Sequence, residues 1–347
     1  MRRRFAALAT LGLLLPASAR AQAPKEYLYV GNSQGGDISV IEIPSHKVVG
    51  TISASIVGEH PDDIISTRDG STLFVSRLDA GDVIAVNAET EQLLWKVDVG
   101  GVPNHMTLSA DERFLYVPLF DKGLLVVIDL KTHEIVARPE VGVGAHGTQL
   151  SPDGRQVLVG SIGANQLALV DVATQSTSRT IKLPEGVRPF QVSPDGKLAY
   201  VQLSKLHGFV VVDLATGQVV KTVPLPTLGK PLPEPSAKMS LYVMNHGIGL
   251  SPNAKYLVAN GSLSGFTAIF SFPSLELLGT VPVGTQPNWV VFSHDSRFAY
   301  VSNRVDNTVS AIDLASRKEV ARIKVGDYPQ RMTVATVKRR PSVKAGQ

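Results

Sequence analysis

The sequence predicts an all-β, seven-bladed β-propeller, and three observations predict it. Asp129, Asp171 and Asp213 follow one another at intervals of 42, each inside an apolar run: VVIDL, ALVDV, VVVDL. Ser109, Ser151 and Ser193 keep the same interval in LSADER, LSPDGR and VSPDGK, and Ser251 and Ser293 resume it after one longer unit. Between these markers every unit reads as short alternating strands separated by Asp-Gly, Asn and Ser turns, with no sustained helical period. A fixed period of roughly 40–45 residues made only of strands points to one four-stranded blade per repeat.

Residues 1–21 are read as a secretory signal peptide. Arg2, Arg3 and Arg4 form a basic start, Phe5 to Pro16 is a short apolar stretch, and Ala19-Arg20-Ala21 is a small-x-small cleavage site. The apolar stretch is too short to span a bilayer. Arg-Arg-x-Phe also partly matches a twin-arginine signal, so general and twin-arginine export both stay open. The expected location is periplasmic or secreted. Removing the four arginines of this segment leaves 30 basic residues against 30 acidic ones. Four further basic residues lie in the tail 338–347, read as solvated and unstructured, so the propeller body (22–337) is mildly acidic. That balance argues against a broad nucleic-acid or anionic-membrane surface. There are no cysteines, which removes disulfides, thiolate catalysis, Cys-based metal sites and covalent haem attachment. A monomer is expected, held by its core alone.

Full blades are expected at about 56–100, 101–142, 143–184, 185–226, 227–284 and 285–326. In the last of these, PNWVVFS is the innermost strand A, RFAYVSN strand B, TVSAIDL strand C and EVARIKVG strand D. The two ends supply the seventh blade. Tyr27–Val30, Asp37–Ile43 and Val48–Ser53 give strands B, C and D, and Tyr328–Ala335 gives strand A. Sharing one blade between the termini closes the ring and removes free sheet edges. The recurrent Asp129, Asp171, Asp213 and Asp313 end strand C beside a Thr, Ser or Gly turn. There they accept backbone N–H bonds, a structural role.

The motifs Tyr300-Val-Ser-Asn303, Tyr29-Val30-Gly-Asn32 and Thr308-Val-Ser before Ile312-Asp313 resemble the YVTN-type seven-bladed propeller repeats. Val-Gly at a blade end with a proline soon after, at Gly284 and Gly326, resembles that family's blade junction. The resemblance spans essentially the whole mature chain. Blade three departs from it with Val117-Pro118-Leu119, and blade six with Phe270-Ser-Phe. It implies the fold strongly and function only broadly. Relatives include secreted and surface-layer proteins, propellers associated with quinone-dependent dehydrogenases, and more distant lactonases and haem-carrying nitrite reductase propellers.

In a propeller the D–A and B–C loops gather at one mouth of the central channel, so the start of each strand A reaches it. Aligned on the serines, those starts supply His60, Asp62, Asp63, His105, His146, Arg188, His246, Trp289 and Arg331, and His207 approaches from a B–C loop. Four of the eight histidines fall in this one column. Three readings stay open. The column is a ligand- or partner-binding site, for an unknown small molecule or periplasmic protein. Alternatively, His60, His105, His146 and His246 hold a transition metal at the mouth. Otherwise it is a hydrated structural lining. The resemblance favours a binding or scaffold module, accessory to a periplasmic redox or quinone-dependent system. The alternative is a metal-dependent hydrolase, lyase or lactonase-like enzyme using the same histidines as ligands or general bases. No P-loop or His-Glu-x-x-His occurs. The D–A connection of blade six, from about Thr227 to Tyr242, is some 16 residues longer than its counterparts and holds Pro231, Pro233 and Pro235. It is either a lid or docking loop over the same face, or an inert insertion.

Overall fold

The computed structural model describes residues 25–228 and 244–337. The segment read as a signal peptide, most of the long blade-six connection and the basic tail lie outside the described residues. The rest forms seven four-stranded antiparallel sheets and one single-turn helix, Ala54–Val57. Blade one is the shared one. Its strand Pro329–Val337 pairs with Lys25–Asn32, followed outward by Asp37–Ile43 and Lys47–Ile52. Blades two to seven follow in chain order, with innermost strands Pro61–Ser66, Thr107–Leu108, Ala145–Leu150, Val187–Val192, Ile248–Leu250 and Pro287–Phe292. No helix among the described residues is long and apolar enough to cross a membrane.

The repeat serines and aspartates build the turns. After each innermost strand in blades two to seven, a Ser or Thr hydroxyl donates to an Asp or Asn two residues on, as Ser151 Oγ does to Asp153 Oδ1 at 2.6 Å. That same hydroxyl then accepts the N–H that opens the next strand, Gln156 N at 2.9 Å. Asp171 Oδ1 accepts from Thr174 N and Oγ1 at 2.8 and 3.0 Å, and Asp213 and Asp313 repeat this in their blades. Asp129 does the same with Lys131 and Thr132 N–H groups. All four are turn residues, as the sequence suggested.

The core lies between blades rather than inside them. Seven buried apolar clusters each span one blade boundary, and the ring closes through the seventh to first contact. That closing cluster joins Phe298, Tyr300 and Val309 to Leu28, Val30, Ile41 and Met332. Strands B and C are therefore buried on both faces. Strand D, at the rim, alternates exposed and covered residues, as Lys318–Lys324 shows. Its Lys, Glu and Arg side chains protect the outer sheet edge from pairing with other chains.

Candidate functional site

The innermost strands begin with a break in their ladders. Pairing with strand B starts at Pro61, Ala145, Val187, Pro287 and Pro329, skips, and resumes at Asp63, Thr148, Phe190, Val290 and Met332. In blade three a lone bridge at Pro103 precedes pairing at Thr107, and in blade six the ladder starts only at Ile248. A bulge of this kind re-aims side chains that a regular pleat would send into the sheet faces. Proline suits its first position because no ladder N–H is required there. The freed amides find partners on strand B: Ser76 Oγ accepts from Asp63 N and Ser302 Oγ from Trp289 N, both at 3.1 Å.

Two rings of side chains result. The outer ring takes the residue after the first bridged position, and in blade six the aligned His246: Asp62, Asn104, His146, Arg188, His246, Asn288 and Gln330. All seven are polar and buried. The next position supplies Asp63, His105, Trp289 and Arg331, while blades four, five and six contribute Gly147, Pro189 and Gly247. Glycine is required at 247. Its φ is +78°, and a Cβ there would sit 2.3 Å from the Asn288 carbonyl oxygen.

His105, His146 and His246 converge. Their ring centroids are 3.9 Å apart (105 to 146), 5.7 Å (146 to 246) and 6.1 Å (105 to 246). Arg331 is fully buried. Its guanidinium lies 3.4 Å above the Trp289 ring and touches the His105 imidazole. Asp62 accepts from Gln330 Nε2 and lies 3.7 Å from His105 Nε2. Asp63 Oδ2 accepts from Met106 N at 2.7 Å. Arg188 Nε donates to Ser204 Oγ at 3.0 Å.

Burial dominates the electrostatics. It holds all three imidazoles well below the usual histidine range, with the Arg331 charge acting the same way, so they are neutral. Burial also raises Asp62, against Arg331 and Arg304, and lifts Asp63 to about 6. The arginines are lowered for the same reason, Arg331 to about 9 and Arg188 to about 10. The two rings therefore combine two arginines, three neutral histidines and two carboxyl groups that resist ionisation.

Two residues of the sequence-derived set lie apart from this cluster. His60 precedes the first ladder residue of blade two, has φ +51°, and points its Nδ1 at Asp79 Oδ2, 3.0 Å away. His207 is held between Asn245 Oδ1 (2.9 Å) and the Pro226 carbonyl (3.2 Å), a loop-bracing role. Of the four histidines considered as metal ligands, three are thus gathered. Among the described residues no group of three or more His, Asp or Glu side chains is arranged to hold a metal ion. The rings meet edge-on, and Arg331 rather than an open coordination position faces His105.

A match to the YNCE-like beta-propeller family covers residues 54–231, more than half of the chain. The chain belongs to that family. No curated protein sequence matches it. Several solved structures share the fold. Hydrazine synthase of Kuenenia stuttgartiensis aligns with a TM-score of 0.71 at 19% identity, over 88% of this chain and 99% of that one. A candidate 6-phosphogluconolactonase of Bacteroides fragilis gives 0.71 at 18% identity, over 92% and 99%. The dihydro-heme d1 dehydrogenase NirN in complex with DHE gives 0.62 at 14% identity, over 91% of this chain and 66% of that one. At such identities the likeness is one of fold.

Four members of the site were missed from sequence: Asn104, Asn288 and Gln330, each beside a residue of the candidate set, and Arg304. Arg304 of the blade-seven B–C loop acts electrostatically on all three histidines, on Asp62 and on Arg188. With its carboxamide oxygen turned toward it, Asn288 accepts from Arg304 Nε and Nη2 at 3.3 and 3.1 Å. A signal was present. Residues whose N–H bonds the preceding D–A loop in the same way are Leu78, Phe120, Ile162, Ser204 and Ser33, so Arg304 is the one cation in an apolar or small column. Deeper along the strands lies a cavity of ≈ 180 Å³, lined by Asp63, His105, Phe190, Trp289 and Met332 among others.

Proposed function

We propose that this chain is an exported binding propeller that takes a small molecule, or a group presented by a periplasmic partner protein, into the mouth of its channel. One observation carries the reading: seven consecutive blades each place a buried polar side chain at the same bulged position. A plug needed only to fill the ring would be built at lower cost from apolar side chains, because buried polar groups lose their hydration. The seven positions hold five different polar residue types, as an asymmetric ligand requires and a repeated structural device does not. The setting proposed, beside a periplasmic redox or quinone-dependent enzyme, rests on the YVTN-type repeat resemblance. The hydrolase or lactonase reading keeps one supporting feature, the neutral His105 imidazole within 3.7 Å of Asp62, a pair able to accept a proton.

Untagged protein exported to the periplasm of its host tests the reading. Mass spectrometry of what denaturation releases should find a small molecule, or periplasmic crosslinking a partner, that is lost in the His105→Ala/His146→Ala double variant. Stoichiometric metal that disappears in the same variant would favour the enzyme instead. Retention unaffected by the double variant would move binding away from the mouth and overturn the proposal.

A further inference from the structure

The charge of the two rings is unevenly distributed. Both carboxyl groups, Asp62 and Asp63, belong to blade two. Arg331 of blade one stands beside them and acts electrostatically on both. The arc formed by blades four to six contains His146, Arg188 and His246 and no acidic side chain at either ring position. Among the described residues none of Arg188, Arg304 and Arg331 is ion-paired with a carboxylate. Several donor atoms in this layer also lack a partner: Arg188 Nη2, Arg331 Nε and Nη1, and His146 Nδ1, which donates in one tautomer. Arg188 is 4% exposed, His146 7% and Arg331 0%. A buried guanidinium with one hydroxyl for a partner is costly by itself, and an anion is the group that offsets that cost.

We infer that the arc His146–Arg188–His246 seats a single oxyanion, a carboxylate or a phosphoryl group carried by a small ligand. This deepens the binding reading and rests on it. Recognition follows from the donor set. Arg188 offers a planar, charge-assisted donor, His146 a neutral one, and Arg331 and Arg304 supply the surrounding positive field. The far side of the ring carries the carboxyl groups of Asp62 and Asp63 rather than further cations, so a compact monoanionic head is favoured over an extended polyanion. Burial strengthens each of these interactions, because the low local dielectric screens charge poorly.

Trp289 provides a local reporter. Its ring centroid lies 6.2 Å from that of His246 and 5.8 Å from that of His105, and the only other tryptophan, Trp95, stacks on His133 at a blade junction. Mature Trp95→Phe protein would be titrated with inorganic phosphate and with acetate at constant ionic strength, with chloride as the control anion. A saturable change in Trp289 emission with one or both oxyanions, absent with chloride, is expected. Arg188→Met should weaken it about tenfold or more, the effect of losing one charge-assisted hydrogen bond. Arg188→Gln, which keeps a polar group, is the second variant should Arg188→Met fail to fold. Response to phosphate alone assigns a phosphoryl ligand, and response to acetate alone a carboxylate. An unchanged titration in a folded Arg188 variant, or no saturable response to either oxyanion, overturns the proposal. A protein that retains a ligand sensitive to His105→Ala/His146→Ala yet ignores both oxyanions would leave the binding reading standing and remove this one.

Discussion

Replacing Arg331 by methionine should move the pH of maximum stability toward acid, and the direction follows from two opposing sets of groups. Asp63 has a free value of 3.8 and is pushed up to about 6 in the fold, by burial first, with Arg331 acting to hold it down. Its proton is bound more tightly in the folded chain than in the unfolded one. Ionisation therefore costs the fold nothing below about pH 4, and the cost grows to completion near pH 6. Two pKa units correspond to about 3 kcal/mol. At roughly 2 °C per kcal/mol for a chain of this size, that is about 6 °C of melting temperature. His105, His146 and His246 work on the other limb. Their values are depressed by burial and then by Arg331, so stability is lost as pH falls below 6.5 and the unfolded chain takes up protons. Without the Arg331 charge, Asp63 and Asp62 rise further and their cost extends above pH 6. The histidines rise too, and the acid loss shrinks. Both changes have the same sign. The melting temperature of Arg331→Met minus that of wild type should become more negative as pH rises from 5 to 8, by about 3 °C (about 1.4 kcal/mol) for each unit that a carboxyl rises, levelling off once that carboxyl is ionised. Calorimetric melts at fixed ionic strength would show it, with Arg331→Lys as a charge-retaining control. A difference that is flat across this range would refute the electrostatic account of the ring.

Ending the chain after Val337 should leave the melting temperature unchanged. Ending it after Asp327 removes the strand Pro329–Val337 with buried Met332, Ala335 and Val337, and should abolish the cooperative transition followed by circular dichroism. Gly247→Ala places a methyl group against the Asn288 carbonyl at a left-handed φ. It should cost about 1 kcal/mol or more and displace the neighbouring His246, seen as a shift of its imidazole proton resonances while those of His133 on the opposite face stay in place.

The fold was legible because every blade repeats the same local chemistry. Ser151 and Asp153, or Asp171 and Thr174, make their turn from residues within five positions of one another, so spacing alone reveals them. The shared blade was legible for the same reason: the final stretch repeats the pattern of Pro287 to Ser293 without a partner strand after it. Two innermost strands came out shorter than expected, Thr107–Leu108 and Ile248–Leu250. There Asn104, His105 and His246 lie outside the regular ladder, while Asn245 braces the loop that holds His207, and the alternation that marks a strand does not report that loss.

Site residues obey a stricter geometry than strands do, which explains where sequence reasoning stopped. A single position along strand A decides whether a side chain enters the channel. His146 stands one residue past the first ladder position, His246 takes the aligned place in blade six, where pairing begins only at Ile248, and His105 stands two past the Pro103 bridge; these three converge. His60 stands one residue before Pro61 and turns outward to Asp79. Serine columns align blades to within a residue or two, enough to gather the candidates and too coarse to separate His60 from His105. Arg304 escaped for a different reason. It reaches the ring from the B–C loop, and its column becomes visible only once the amide bonds from Leu78 to His60 and from Arg304 to Gln286 show that the two loops share one geometry. What distinguishes this propeller from its own repeat is therefore held in about one residue per blade, at the one point where the ladder is broken.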